Sequence, residues 1–163
     1  MRRIWSEAEK RRMWRRIWLA LAETQAQFGL VSEDQLNDLR RNVENIDLKR
    51  ALEIEAEIQH DLMAELKTFA EQSPLGGAVL HLGATSMDIE DNAEALRLRA
   101  ALGLILQHLR ELLERFAERI EQTADLPVIG FTHLQPAEPS TLGYRLAFYA
   151  QDLLTHWRAL QQR

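Results

Sequence analysis

Residues 98–116 read LRAALGLILQHLRELLERF, and the spacing of their apolar side chains decides the fold. The apolar positions alternate between steps of four and three residues, at Leu98, Leu102, Ile105, Leu109, Leu112 and Phe116. This spacing lines them along one side of an α-helix and is typical of helical bundles and coiled coils. We expect the helix to begin near 88–92 and to reach about residue 123, roughly 50 Å at 1.5 Å per residue.

A second apolar series follows the first, at Leu142, Leu146, Tyr149, Leu153 and Leu160. It predicts a final helix that starts behind Pro139, because proline is favoured in the first turn of a helix. The pattern is still in register at Leu160, close to the last residue of the sequence. We therefore expect an incomplete helical bundle.

Three helices are predicted ahead of the long one, at 6–28, 33–42 and 45–71. Ser6 and Ser32 are each followed three residues later by Glu or Gln, which is the pattern of a capping box. Strand-like alternation of apolar and polar residues is absent, so the predicted fold class is all-α. We expect a small N-terminal helical domain at 1–87, followed at 88–163 by the first long helices of the incomplete bundle.

The bulk composition excludes several classes of protein. A net charge of −5 argues against binding nucleic acid through its phosphates, and the absence of cysteine excludes disulfides and thiolate metal sites. No apolar run approaches the roughly 20 residues of a membrane span. We expect a cytoplasmic protein with neither a nucleic-acid nor a membrane partner.

A basic cluster inside the first predicted helix comprises Arg11, Arg12, Arg15 and Arg16. It could meet a phosphate group, but a solvent-facing helix surface is the favoured interpretation.

Two polar loops each precede a predicted bundle helix, one at 83–88 and one at 130–139. Thr85 and Ser86 in the first loop can cap the helix or can hold a phosphate or carboxylate with the free N–H groups there. His133 in the second loop follows Thr132, and an imidazole held by loop backbone suits proton transfer in either direction near neutral pH.

His60 and Asp61 are placed inside the third predicted helix. Adjacent residues on a helix do not face each other, so we expect no local His–Asp dyad there. A zinc site is also not expected, because no two histidines have the spacing of four residues that a helical ligand pair requires.

The loops together resemble the signature regions of the adenylosuccinate lyase family, in the fumarase/aspartase superfamily. The first region is HLGATSMDIEDN at 81–92 and the second is GFTHLQPAEP at 130–139. The tripeptides QHD at 59–61 and IWS at 4–6 match two further stretches of that family, in the same order. Argininosuccinate lyases share the Thr-His-Leu-Gln loop but differ in the first region. Carboxymuconate cycloisomerases share the Gly-Ala-Thr-Ser loop but lack the second-region histidine.

The resemblance implies an elimination that releases fumarate from adenylosuccinate, and from the succinylated carboxamide ribotide of purine biosynthesis, without a cofactor or metal. It assigns catalytic roles to His133, as the acid that protonates the leaving nitrogen, and to His60, which supports the site. The residues that it implies for substrate binding are Asp61, His81, Thr85, Ser86, Thr132 and Gln135, with His81 at the phosphate.

The family also carries a serine base on a mobile loop of pattern Ser-Ser-x-Met-Pro-x-Lys-x-Asn, which does not occur in residues 1–163. We therefore expect this chain to be inactive on its own. The resemblance further implies a homotetramer whose active sites combine loops from several subunits. The alternative interpretations are a related superfamily lyase, or a non-catalytic helical oligomerisation module that keeps only the scaffold.

Overall fold

The computed structural model describes residues 1–162 and is mainly α-helical, as the sequence predicts. Its elements in chain order are α1 (Glu7–Gln27), α2 (Glu33–Asn42), α3 (Leu48–Ile58), α4 (Asp61–Gln72), a short 3-10 helix (Gly76–Val79), α5 (Ser86–Gln122), β1 (Pro127–Thr132), β2 (Gln135–Thr141) and α6 (Leu142–Gln161). Two compact units divide within α5, one at Met1–Ala101 and one that begins at Leu102. The predicted domain boundary between 87 and 88 is a different division, and it stays a prediction.

Local signals set the ends of the first two helices. The Ser6 hydroxyl accepts a hydrogen bond from the Glu9 N–H at 3.2 Å, which starts α1. Ser32 and Gln35 form the predicted capping box with bonds of 3.3 and 3.0 Å. Gly29 follows α1 with a φ of +72°, a left-handed conformation that glycine adopts without steric cost. These bounds agree with the sequence analysis.

The single helix predicted over 45–71 is wrong, because the chain breaks between α3 and α4. Gln59 adopts a left-handed φ of +56° and His60 an extended φ of −149°. His60 then caps α4, with its Nδ1 accepting the Met63 N–H at 3.4 Å. The apolar series continues across the break, and for this reason it gave no sign of the interruption.

The predicted solvent exposure of the arginine cluster is also wrong for two of its members. Arg11 and Arg15 are completely buried, and both pair with the equally buried Glu65 of α4. The distances to the Glu65 carboxylate are 2.5 Å from Arg15 Nε and 3.4 Å from Arg11 Nη1. Burial lowers the pKa of Arg15 and raises the pKa of Glu65, since removal from water disfavours the charged form of each group.

Arg15 also ties α1 to the loop between α2 and α3. Its Nη1 donates to the carbonyl oxygens of Asn42 and Asn45, both at 2.9 Å. Its guanidinium lies 4.5 Å from the centre of the Phe69 ring. Around this network lies the apolar core of the first unit, which includes Trp14, Trp18, Leu36, Leu39, Leu62, Phe69 and Ile89.

Asp38 on α2 anchors the segment that leads from α4 towards His81. Its buried carboxylate accepts hydrogen bonds from the backbone N–H groups of Leu75 at 2.9 Å and Gly76 at 3.1 Å. The bond from Gly76, with those from Leu75 and Arg41, lowers the pKa of Asp38 below its ordinary value.

The second unit contains a β-hairpin where the sequence analysis expected an irregular loop. β1 pairs antiparallel with β2, and a register irregularity falls between Ile129 and Phe131. Exposed prolines and polar residues in β2 hid the strand, because proline is depleted in strands and polar side chains on both faces remove the usual alternation. The Thr141 hydroxyl accepts the Tyr144 N–H at 3.2 Å and starts α6.

The apolar stripe that defines α5 is largely on the surface of the single chain. Leu98, Leu102, Ile105 and Leu112 each keep more than two-fifths of their surface exposed. None of the helices among residues 1–162 is long and apolar enough to cross a membrane.

Glu65→Gln is expected to lower the free energy of unfolding by about 3 kcal/mol, because the buried Arg15 loses its carboxylate partner and Arg11 keeps only its ion pair with Glu55 at 2.6 Å. Urea unfolding followed by circular dichroism measures the change. The matched control is Glu71→Gln, which removes the exposed ion pair with Arg50 and should leave the midpoint almost unchanged. Equal effects of the two substitutions would contradict the structural importance of the buried network.

Asp38→Asn is expected to destabilise the chain at neutral pH and progressively less in acid. The folded-state pKa of Asp38 is depressed, so its contribution is present above the unfolded-state pKa of about 3.9 and is lost as the pH falls through the folded value. Urea unfolding of both proteins over a pH series measures this. The difference in unfolding free energy should be constant above about pH 5 and shrink below about pH 4; a difference that grows in acid would refute this role.

Candidate functional site

The predicted site residues are distributed over both compact units. The first unit contains His60, Asp61, His81, Thr85 and Ser86, and the second contains Thr132, His133 and Gln135.

His133 occupies the tip of the β1–β2 hairpin. Thr132 and Gln135 pair across the last rung, so His133 and Leu134 are the two residues of the turn. Both have positive φ, +48° and +63°, which a two-residue type I′ turn requires. Asn-Gly is the usual sequence for such a turn, and its absence here means that two residues with side chains hold a costly conformation. The turn presents the His133 imidazole to solvent.

His60 and Asp61 begin α4, and neither side chain is in the middle of a helix. The distance from His60 Nδ1 to Asp61 Oδ1 is 3.9 Å, too long for a hydrogen bond. His60 Nδ1 instead accepts from the Met63 N–H, and Asp61 Oδ1 accepts from the Leu62 N–H at 2.8 Å. The absence of a dyad agrees with the sequence analysis, but its cause is helix capping.

Two concavities flank Asp61 within the first unit. One, of about 480 Å³, is lined by Leu52, Glu55, Ala56, Gln59, His60 and Asp61. The other, of about 290 Å³, includes Lys10, Asp61, Glu90, Glu94 and Arg97 in its lining. Burial raises the pKa of Glu90, and the negative charge of Asp61 adds to that shift. Lys10 lies 3.5 Å from Asp61 and partly balances the charge.

His81 is held against α1 by a buried indole. The Trp18 Nε1–H donates to His81 Nδ1 at 3.0 Å, and the two rings meet edge to face with centres 6.1 Å apart. His81 has a left-handed φ of +64° and is half-buried, whereas Trp18 is 1% exposed. The Gln25 side chain, two turns further along α1, donates to the Leu82 carbonyl at 2.8 Å.

Thr85 immediately precedes α5 and Ser86 is its first residue, so the helix begins earlier than the predicted start near 88–92. The Thr85 N–H donates to the Asp88 carboxylate at 2.8 Å, and the Asp88 N–H donates to the Thr85 carbonyl at 3.1 Å. Asp88 therefore occupies one of the backbone donors that a bound anion would use. The Asp88 carboxylate is therefore the side chain that caps this end of α5. Both predicted roles of the Thr85 and Ser86 hydroxyl groups, helix capping or anion binding, stay predictions.

Trp18 and Glu90 are neighbours of the predicted site that the sequence does not reveal. Trp18 is 63 residues from His81 and belongs to an apolar helix face, so nothing local distinguishes it from other core residues. Glu90 is one acidic residue among several at the start of α5. Within the described part of the chain, no three side chains of His, Asp or Glu are grouped closely enough to hold a metal ion.

Comparisons with known proteins give consistent results. A family model described as lyase matches residues 2–163. The chain is 37% identical over 153 residues to the adenylosuccinate lyase of Saccharomyces cerevisiae, which covers 91% of this chain and 32% of that protein. It is also 37% identical over 162 residues to the adenylosuccinate lyase of Archaeoglobus fulgidus, which covers 99% of this chain and 36% of that protein.

A solved structure shows the same relation. The 3-carboxy-cis,cis-muconate lactonizing enzyme of Pseudomonas putida superposes with a TM-score of 0.90 at 30% identity, over 99% of this chain and 38% of the other. The chain spans about a third of the length of the curated relatives it matches.

Leu134→Gly is expected to stabilise the hairpin by up to about 1 kcal/mol, because it relieves one left-handed residue in the turn. The Leu134 side chain is 92% exposed, so its removal costs little packing. Hydrogen exchange of the β1 and β2 amides measures the effect and should slow. The control is Ala137→Gly in the extended backbone of β2, where exchange should accelerate; faster exchange in Leu134→Gly would contradict the assignment of strain.

Proposed function

The chain belongs to the lyase family of the fumarase/aspartase superfamily, and we propose that residues 1–163 form the N-terminal part of an adenylosuccinate lyase. The observation that carries this proposal is the match to adenylosuccinate lyases over more than nine-tenths of the chain. The complete enzyme would eliminate fumarate from adenylosuccinate, leaving AMP, and from the succinylated carboxamide ribotide of purine biosynthesis.

In the proposed reaction His133 is the general acid. A base removes the proton β to the departing nitrogen, and the electron pair of that carbon–hydrogen bond forms the double bond of fumarate. The carbon–nitrogen bond breaks, and its electron pair goes to the nitrogen. His133 then protonates that nitrogen. The hairpin supports this role because it holds an exposed imidazole on a two-residue turn, from which the ring can reach a ligand that a different element binds. The paired residues Thr132 and Gln135 would line the site on either side.

The residues of the first unit would bind and orient the substrate. His60 would act with Asp61 at the start of α4, beside the larger concavity. His81 would contact the phosphate, and the Thr85 and Ser86 hydroxyls would hold the succinyl carboxylate. A carbanion develops on the substrate, and fixed hydrogen-bond donors stabilise such charge without reorganising during the reaction. The proposal requires no cofactor or metal.

Assembly into a homotetramer belongs to the same proposal. The exposed apolar stripe on α5 supports it, because Leu98, Leu102, Ile105 and Leu112 would lose contact with water between subunits. Each active site would then combine loops from different chains. The division into domains at 1–87 and 88–163, and a cytoplasmic location, are proposed with it.

A muconate cycloisomerase is the second candidate. It is favoured by the superposition on the Pseudomonas putida enzyme, at nearly the same coverage of this chain. His133 distinguishes the two candidates. The lyase mechanism uses this histidine, whereas carboxymuconate cycloisomerases share the first loop but lack a histidine in the second. A non-catalytic oligomerisation module would use the α5 stripe without needing either set of site residues.

The test is to co-express this chain with the remainder of the yeast adenylosuccinate lyase, which is the part after the region that aligns with this chain. Fumarate release from adenylosuccinate is then measured. We expect activity in the mixture and none from residues 1–163 alone, which do not contain the serine-loop pattern. His133→Gln should lower kcat by at least about 100-fold, the usual contribution of a general acid. The matched control is His156→Gln, an exposed histidine of α6 that should keep full activity.

Three outcomes would count against the proposal. Turnover by residues 1–163 alone would refute the prediction that activity requires a serine base from outside these residues. Full activity in His133→Gln would refute its role as the acid. Turnover of carboxymuconate in place of adenylosuccinate would favour the second candidate.

A further inference from the structure

We infer that Trp18 is a positioning residue that fixes His81 as a neutral hydrogen-bond donor. On this basis His81 binds a substrate oxygen and does not exchange protons with the substrate. The inference rests on the proposed function for the identity of the ligand, but not for the state of the imidazole ring.

The Trp18 indole can only donate a hydrogen bond. Trp18 Nε1 lies 3.0 Å from His81 Nδ1, so Nδ1 must accept and carries no proton. An imidazolium ring donates from both nitrogens and cannot make this contact. His81 is therefore the neutral tautomer with its proton on Nε2, the nitrogen that is left for a ligand.

The contact is built into the fold, because the donor is rigid. Trp18 is 1% exposed and is packed in the core of the first unit, so the indole cannot follow the imidazole if the loop moves. A buried N–H without an acceptor would cost about 1–3 kcal/mol, which favours the paired arrangement. The edge-to-face packing of the two rings further restricts the orientation of His81.

The backbone of the loop is held from the same helix. Trp18 and Gln25 are seven residues apart on α1 and share one face, and Gln25 donates to the Leu82 carbonyl at 2.8 Å. The Ala84 N–H also donates to the His81 carbonyl at 3.1 Å, which closes the turn. These bonds keep His81 in its left-handed conformation, with φ of +64°.

A consequence for the chemistry follows from the tautomer. Nε2–H can donate to a phosphate or carboxylate oxygen, but it cannot remove a proton from the substrate because it already carries one. Protonating the ring at Nδ1 would break the bond to Trp18 and leave a buried donor unpaired. His81 is thus suited to binding, which leaves proton transfer to other side chains.

The test is nuclear magnetic resonance of the chain with ¹⁵N-labelled histidine, with the His81 signals identified by their loss in His81→Asn. We expect Nδ1 to give the signal of an unprotonated nitrogen and Nε2 that of a protonated one. In Trp18→Phe, which removes the donor but keeps an aromatic ring, the two tautomers should mix. Trp14→Phe is the matched control, a buried indole one turn earlier on α1, and should leave the His81 signals unchanged.

The second arm is kinetic and uses the co-expressed mixture with the yeast remainder. Trp18→Phe should raise the KM for adenylosuccinate about fivefold to tenfold, the loss of one oriented hydrogen bond, with a smaller change in kcat. A purely structural role would lower the amount of active enzyme without changing KM.

The outcomes separate the two proposals. A wild-type His81 with a proton on Nδ1, or an unchanged tautomer in Trp18→Phe, overturns the inference. The wild-type spectrum decides this even if the Trp18 variant fails to fold. Absence of fumarate release from the unmodified mixture counts against the lyase function alone, because the ring tautomer is measured in the chain without substrate.

Discussion

The first unit depends on one carboxylate that is sealed between two guanidinium groups. Glu65 of α4 has no access to water, and neither have Arg11 and Arg15 of α1. Buried charges are tolerated only with well-formed partners, so these three side chains restrict both the distance and the rotation between the two helices. Apolar contacts depend little on direction, whereas these hydrogen-bonded ion pairs depend on both distance and angle. Trp18 lies about one turn beyond Arg15 on the same helix and packs in the apolar core beside this network.

The sequence correctly predicted the features that depend on neighbouring residues. Ser32 and Gln35 identify the start of α2, Gly29 follows the end of α1, and the apolar spacing from Leu98 onward predicts α5. It failed where the deciding partner is distant in sequence. Nothing near Arg11 and Arg15 in the sequence shows that both will be buried in ion pairs with an acidic residue some 50 positions later. The break before His60 is local, but it requires a left-handed glutamine in a stretch whose apolar spacing is continuous.

The sequence predicted which residues belong to the candidate site, but it did not predict their backbone conformations or their contacts. The positions of His60, His81 and His133 were recognised from motifs, yet their backbone conformations were not. Among the described residues, positive φ outside glycine occurs at Gln59, His81, His133 and Leu134, each of them at or beside one of these histidines. Such conformations cost of order 1–3 kcal/mol and persist where the surroundings hold them, which is frequent at functional sites. Residue preferences predict ordinary backbone, so they overlook the positions where a fold departs from it.

The hairpin has a consequence for the behaviour of the chain in concentrated solution. A two-stranded sheet leaves an outer edge on each strand, and open edges invite pairing with strands of other molecules. β2 contains Pro136 and Pro139, neither of which has an amide hydrogen to offer such a strand. The prolines that made this strand hard to predict from the sequence thus also make it less able to pair with a strand of another molecule.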